Sequence, residues 1–463
     1  MLIDEHPQTL SMMSLDTPYF YGARLAPILS DDSAIADRVL GANEPMMQCL
    51  EAGVDVVTNT SVWGSFTPGP NSAHAKKPQL GLADSAKSWM IEYDQLILAP
   101  GARDLVLSFP GWHLPGVLGA AGALALFERY QAFSGERLVI LGSGNLGLTV
   151  ARRALANGLQ VVAIVDVANT IRGDANLAAE LRSAGVEFLL SHTIQDARGT
   201  DGVAGARLRS LDQDMRPNAS ETLDLDCDTI CMAFGLVPNI ELAAVTGCAL
   251  EFRAHRGGWI PKLDSNMLSS LPSVSVVGDG AGVSEAMILE PRIAAEQGRV
   301  AARALSENAK DQEPQDSNEA PSTPTQSAAQ QWLTTLLAVS GLETVVCQCE
   351  EVTRNELLGV QPPRYLGNMR GGAASALGRT SQDFFKRMTR VGMGHCQGKR
   401  CRDQSALLLA INEGRPVSDI APGSYRVPVR PIPLNVIACY DETEAMRKSW
   451  PVWFQPLNEG EVG

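Results

Sequence analysis

The stretch from Leu138 to Asp166, LVILGSGNLGLTVARRALANGLQVVAIVD, restricts the fold more than any other part of the chain. It reads as strand, glycine turn, helix and second strand, with Gly142, Ser143, Gly144 and Gly147 in the turn and Asp166 closing the second strand. Each residue type meets a demand made by a dinucleotide. Gly142 permits the turn, Gly144 has no side chain to obstruct a pyrophosphate, and Gly147 lets helix and strand pack closely. The helix N-terminus at Asn145 offers N–H groups to the phosphates. Asp166, 24 positions after Gly142, suits the ribose hydroxyls of NAD and would repel the extra phosphate of NADP. A bare G-x-G-x-x-G is weak, but here strand, helix and acid all stand at the expected places. The fold is therefore read as dinucleotide-binding. Occupancy by NAD is a separate question, because folds outlive their ligands.

Two other strand ends carry the same kind of signal. The run 91–101, IEYDQLILAPG, reads as one buried strand ending in Pro100-Gly101. The run 274–282, VSVVGDGAG, delivers Gly278 and Asp279 towards a helical stretch from Ile293 to Leu305. Such ends bring backbone N–H groups and a carboxylate to a cofactor's ribityl chain or phosphate. Around them, Met46 to Ala52 reads as helix, Val54 to Thr58 as extended, the Trp63 region as a hairpin, Ala178 to Ala184 as helix and Val186 to Leu190 as strand. The pairs Pro110-Gly111 and Pro115-Gly116 mark a crossing between domains.

The expected class is α/β, with two dinucleotide-binding (Rossmann-like) domains, the second inserted in the first, and a small helical C-terminal domain. A chain of 463 residues has room for two or three such units. The first domain takes 1–110 and 246–305, the NAD-type domain 111–245, a polar linker 306–331 and a small cysteine-bearing domain 332–413. Residues 414–463 form an extended arm, since the prolines of SYRVPVRPIPL at 424–434 exclude helix. An arm of this kind wraps its own protein or a neighbouring subunit.

Four of the nine cysteines form Cys347-x-Cys349 and Cys396-x4-Cys401, separated by 46 residues. Two thiolate pairs brought together suit an iron–sulfur cluster or structural zinc, with the cluster favoured. Arg379, Lys386, Arg387, Arg390, Lys399, Arg400 and Arg402 against the single acid Asp383 leave a local excess of +6 on a chain of net charge -14. That excess would stabilise an anionic cluster. Thr353 to Glu356 reads as a capping box starting a helix, and His395 as a bystander. Cys49, Cys227, Cys231, Cys248 and Cys439 read as small core residues.

The acidic balance argues against nucleic-acid or anionic-membrane binding. No apolar run approaches the roughly 20 residues of a bilayer span, and the start MLIDEHPQ does not read as a signal peptide. The expected location is cytoplasmic, with peripheral membrane attachment only through a complex. His6, His74, His113, His192, His255 and His395 are scattered, so no catalytic acid–base pair is assigned.

With these residues in view, VCQCEEVTRNEL and KRMTRVGMGHCQGKRC closely resemble the cluster domain of bacterioferritin-associated ferredoxin type. Behind a flavoprotein with APGAR, GSGNLG and VVGDGAG, that form resembles the large subunit of bacterial amine dehydrogenases such as opine oxidase, hydroxyproline dehydrogenase and hydrogen cyanide synthase. The resemblance implies FAD in the first domain and a 2Fe-2S cluster on Cys347, Cys349, Cys396 and Cys401. It also implies an amino-acid-oxidase-type partner that oxidises the amine, an electron acceptor, and room for a small ferredoxin-like subunit. The family opens with a strand, a G-x-G-x-x-G turn and a helix, whereas this sequence opens at the end of the second strand, with Glu5 at the adenosine-ribose position. The expectation is a start placed too late; a separate polypeptide supplying the piece, or a domain without FAD, are the alternatives. Three functions follow: an electron-relaying subunit, a self-sufficient NADH-dependent reductase, or a zinc-binding scaffold.

Overall fold

The N-terminal strand β1 (Leu2–Ile3) runs parallel to β2 (Val56–Val57), with Leu2 beside Val56, and helix α1 (Glu44–Glu51) leads into β2. The computed structural model describes residues 1–6, 44–68, 77–130, 132–307, 327–361, 381–438, 444 and 448. His74, Arg379, Cys439, most of the 306–331 linker and most of the arm beyond 438 lie outside these residues. Strands β3 (Ser61–Phe66), β4 (Gln79–Ala83) and β5 (Ser88–Glu92) make an antiparallel sheet, as the Trp63 hairpin requires. The run 91–101 is not one strand: the chain bends after β5, and β6 (Leu96–Leu98) belongs to a different sheet. Asp94, exposed and bonded to Lys77 at 3.0 Å, sits in that bend because a charged turn residue has no place in a buried strand. Beyond Gly101, β7 (Ala102–Asp104) follows.

Residues 117–232 hold a five-stranded all-parallel sheet in the order β11-β10-β9-β15-β8. Its strands are β8 (Val117–Gly119), β9 (Arg137–Leu141), β10 (Gln160–Asp166), β11 (Glu187–Leu190) and β15 (Thr229–Met232). In central β9, Leu138 to Leu141 are fully buried, as expected where both faces of a parallel sheet are covered. Leu138 and Ile140 face helices α2 (Asn145–Ala156) and α3 (Ala175–Ser183). Val139 and Leu141 join the opposite core with Phe109, Trp112 and Trp332. Each such side chain removed from water is worth about 1.5–3 kcal/mol. The antiparallel sheet β12-β13-β14, spanning His192–Arg198, Gly205–Leu211 and Pro217–Leu225, covers that second face. Cys227 is buried on that face and Cys231 on the helix-covered one, as read from the sequence, and so is Cys248 elsewhere; Cys49 is only half-buried.

Strand β16 (Leu236–Pro238) returns to pair with β7, and β17 (Leu250–Arg253) with β18 (Gly258–Pro261) forms a hairpin. Strand β19 (Val274–Val276) then lies parallel to β6. Among the described residues β1–β2 and β6–β19 stand as separate two-stranded parallel sheets. After β19 the Gly278–Ala281 segment is a 3-10 turn. A short helix, Glu285–Leu289, intervenes before α4 (Arg292–Ser306), so Gly-Asp-Gly does not itself open the long helix.

In the C-terminal part, α5 (Ala328–Val339) starts with a Ser327–Gln330 capping box. β20 (Val345–Cys347) pairs with β21 (Val352–Thr353), and α6 (Arg354–Leu358) begins with the anticipated Thr353–Glu356 box. Helices α7 (Gln382–Thr389) and α8 (Arg402–Glu413) complete it. It shares one core with the five-stranded sheet, where the rings of Phe234 and Trp332 are 4.9 Å apart. The arm wraps its own protein: Val429 N–H donates to Trp63 O at 2.7 Å, and Arg430 pairs with Glu5. No helix among the described residues is long and apolar enough to cross a membrane.

Candidate functional site

The glycine turn joins β9 to α2 through Gly142, held at φ +120°, a left-handed region that favours glycine. A Cβ at Gly147 would lie 2.0 Å from Gly142 O, whereas one at Gly144 would meet nothing within 4 Å. So Gly147 serves helix–strand packing, and Gly144 leaves open space at the N-terminus of α2, the arrangement a phosphate uses. Asp166 is brought to this turn but does not face solvent. It is fully buried, and its Oδ2 accepts from Ser143 N and Oγ, both at 2.7 Å. Its Oδ1 accepts from Ala168 N at 2.9 Å and Arg172 Nε at 3.1 Å. The strap 172–174 continues over the turn, with Gly173 N donating to Ser143 O at 2.9 Å and Asp174 N to Asn145 Oδ1 at 2.7 Å. Sequence spacing identifies the acid and cannot show that its own chain occupies both oxygens.

The strand ends Pro100-Gly101 and Gly278-Asp279 are side by side: a Cβ at Gly280 would meet Pro100 Cδ at 2.6 Å. Gly101 and Gly278 have φ of +68° and +64°, and neither has atoms crowding its Cβ position. The result is a backbone cradle open at the carboxyl ends of β6 and β19. Asn239 holds one wall, its Nδ2 on Pro100 O at 2.9 Å and its N–H on Gly101 O at 3.0 Å. Gln297 holds the other, accepting from Gly278 N at 2.8 Å. Burial raises the Asp279 carboxyl above its ordinary range, so a hydroxyl or N–H partner there would satisfy it. This cradle fits a flavin nucleotide's ribityl and phosphate groups. The Glu5 carboxylate is paired with Arg430.

All four motif cysteines come together. Cys347 closes β20, Cys349 follows in the turn, and Cys396 and Cys401 lie on the loop entering α8. Cys347, Cys396 and Cys401 are buried and Cys349 is half-buried. The sulfurs fall into two neighbouring pairs, Cys347 with Cys401 and Cys349 with Cys396. Gly392 and Glu350 N–H groups also donate to Cys347, and its partner's hydrogen bond draws its thiol down. Cys396, bonded by Cys349 and then by Arg400 and Gly398 N–H groups, is drawn down to about 5. The fold demands glycine here, since a Cβ at Gly394 would lie 2.3 Å from the Cys349 Cβ. Among the described residues no three His, Cys, Asp or Glu side chains converge on one metal ion. Thiols fed by backbone N–H groups suit an iron–sulfur cluster or structural zinc. His395 is nearer than a bystander, its Nε2 3.7 Å from Cys349 Sγ. The basic run is partly compensated: Arg390 pairs with Glu350 at 2.6 Å, and Arg402 lies 3.7 Å from Glu241.

The sequence profile of the family described as pyridine nucleotide-disulphide oxidoreductase matches residues 23–304, more than half of the chain. The chain belongs to the pyridine nucleotide-disulphide oxidoreductase family. It is thus an oxidoreductase with an FAD/NAD-type dinucleotide-binding fold. A second profile, for the sarcosine oxidase A3 domain, matches residues 373–440. This family member is 26% identical over 438 residues to the A subunit of opine oxidase from Agrobacterium tumefaciens (strain Ach5), covering 87% of this chain and 80% of the relative. It is 25% identical over 395 residues to the HcnB subunit of hydrogen cyanide synthase from Pseudomonas protegens, covering 76% of each. Its fold is shared with L-proline dehydrogenase from P. horikoshii at a TM-score of 0.56 and 18% identity, over 94% of this chain and 74% of that one.

Within this oxidoreductase the segment 103–112 connects the two candidate cofactor regions, a link that sequence reasoning does not foresee. Arg103 Nε donates to Lys399 O at 3.1 Å and Ser108 N to Gln404 Oε1 at 2.9 Å. Trp112 Nε1 donates to Val345 O at 2.7 Å, and the Arg400 guanidinium lies 4.9 Å from the Trp112 ring. Fully buried Arg354 reaches back to Ser108 O and to Ser340 Oγ. Among the described residues the histidines do not assemble: His6 sits on Asp4, and His192 Nδ1 on Leu190 O at 2.7 Å. His113 is held below its ordinary range by burial and by Arg400.

Proposed function

We propose that this chain is the FAD- and iron–sulfur-bearing subunit of a heteromeric amine or amino-acid dehydrogenase of opine type, relaying electrons from a partner's flavin to an acceptor. The observation that carries the reading is the gathering of four cysteines as two pairs, tied by residues 103–112 to the strand end at Gly101. FAD would supply two-electron exchange and a 2Fe-2S cluster single-electron exchange. Pro100, Gly101, Gly278 and Asp279 would hold the FAD, with Glu5 at the edge of the site once Arg430 is moved aside. Cys347, Cys349, Cys396 and Cys401 would hold the iron, and their N–H donors would stabilise the charge on sulfur.

Oxidation of the amine itself falls, in this reading, to an amino-acid-oxidase-type partner. The opine oxidase and hydrogen cyanide synthase relatives are both named as subunits, which supports a heteromeric assembly; a small ferredoxin-like protein is a further partner in this reading. The glycines Gly142, Gly144 and Gly147 with Asn145 and Asp166 are the NAD-type site. A self-sufficient NADH reductase is less well supported, since Asp166 already accepts four hydrogen bonds from its own chain. The test is the anaerobic visible spectrum of the purified chain with its flavin, iron, zinc and sulfide contents. A flavin band over iron–sulfur absorption is expected, and stoichiometric zinc without iron would refute the reading.

A further inference from the structure

Arg103 lies two positions beyond Gly101, in the run APGAR, and is buried with only 9% of its surface exposed. Its guanidinium is gripped from both sides. Towards the strand end, Nη1 donates to Pro238 O at 3.2 Å and Asn239 Oδ1 at 3.1 Å, and Asn239 is the residue that bonds Pro100 O and Gly101 O. Towards the cysteines, Nε donates to Lys399 O at 3.1 Å and Nη2 to Asp403 Oδ2 at 3.0 Å. Lys399 lies between Cys396 and Cys401, and Asp403 stands in the first turn of α8 just past Cys401. Glu241 Oε1, 3.2 Å from Arg103 Nη1 and 3.7 Å from Arg402 Nη1, ties the two arginines together.

Burying charged groups costs several kcal/mol each, and a well-packed apolar set often holds a fold as firmly. What an apolar set lacks is direction. A planar fork with donors aimed at both the Cys396–Cys401 loop and the Gly101 strand end fixes their spacing, and a lysine's single point charge cannot address both.

We propose that Arg103 is a positioning residue that clamps the Cys396–Cys401 loop to the Pro100-Gly101 strand end, and so sets the separation and orientation of the two cofactor sites. This rests on the iron–sulfur reading above.

The test uses the full chain as wild type, Arg103→Lys and Arg103→Gln, comparing iron and sulfide content, the EPR spectrum of the reduced protein and its midpoint potential. All three should hold iron at equal stoichiometry. Arg103→Lys should keep the potential but broaden the EPR lines, because charge is retained while the two-sided grip is lost. Arg103→Gln should broaden the lines and also lower the potential, one positive charge beside the loop having gone. If Arg103→Gln fails to fold, Arg103→Lys decides alone. Iron-loaded variants with wild-type line shape and potential overturn the role of Arg103 only, whereas a wild-type chain without iron overturns the functional reading beneath it.

Discussion

Replacing Asp166 by Asn separates a carboxylate that serves the fold from one that serves a ligand. Four donors converge on it: Ser143 N and Oγ on Oδ2, Ala168 N and Arg172 Nε on Oδ1. Asparagine keeps one acceptor oxygen and turns the other into an NH2 group, so one pair of donors must face a donor. The amide will settle with its oxygen towards Ser143, which is fully buried, because Arg172 is 25% exposed and can turn to water. That leaves Ala168 N unpaired and breaks the bond from Arg172. At about 1–3 kcal/mol per unsatisfied buried group, the loss is about 2–4 kcal/mol. With roughly 2–4 °C per kcal/mol for a domain of this size, the melting temperature should fall by roughly 5–15 °C. Thermal melts followed by near-UV circular dichroism, alongside an NADH titration, provide the assay. An Asp166→Asn chain that melts with the wild type but loses NADH binding would refute the argument.

Four further outcomes are expected. Gly147→Ala, with its new Cβ 2.0 Å from Gly142 O, should be severely destabilised in thermal melts, while Gly144→Ala should melt like the wild type. Cys347→Ser and Cys396→Ser should lose iron in a colorimetric assay, whereas Cys231→Ala, in the core, should keep it. Burial would raise Glu241, but Arg103, Lys399 and Arg402 outweigh it and hold the carboxyl at about 2 instead of 4.5. That pair of values corresponds to about 3 kcal/mol of stability, present above pH 4.5 and lost as pH falls from there through 2. The stability gap between wild type and Glu241→Gln in urea melts should therefore narrow over that window. Burial pushes the Cys227 thiol up to about 12, so iodoacetamide at pH 8 should leave it unmodified until the chain unfolds, as mass spectrometry of peptides will read.

Local features are legible in the sequence because local rules govern them. The turn at Gly142 follows from glycine's access to positive φ, and the Thr353–Glu356 capping box from the N–H groups a helix start leaves unpaired. That the two cysteine motifs belong to one region is legible too, since thiols at those spacings have few other uses. What escapes reading depends on side chains far apart in sequence. Nothing near Asp166 announces that Arg172 and Ser143 will enclose its carboxylate, and nothing near Arg103 points to Lys399. The bend at Asp94 is hidden because the apolar residues around it read as continuous strand, although one exposed charge is the clue. His395 reads as a bystander for a similar reason: position in sequence cannot state a 3.7 Å distance to Cys349.

The contact between Arg430 and Glu5 joins residues 425 positions apart, and Val429 reaches Trp63 over a comparable span. On a ribosome adding about 5–20 residues per second, the end of β1 would wait roughly 20–90 s for its arginine. During that interval Glu5 and the edge of β3 face whatever else is in reach. A nascent chain released early would carry a complete glycine turn at Gly142 without the Arg430 and Val429 contacts, and protease sensitivity of such chains should concentrate near residues 5 and 63.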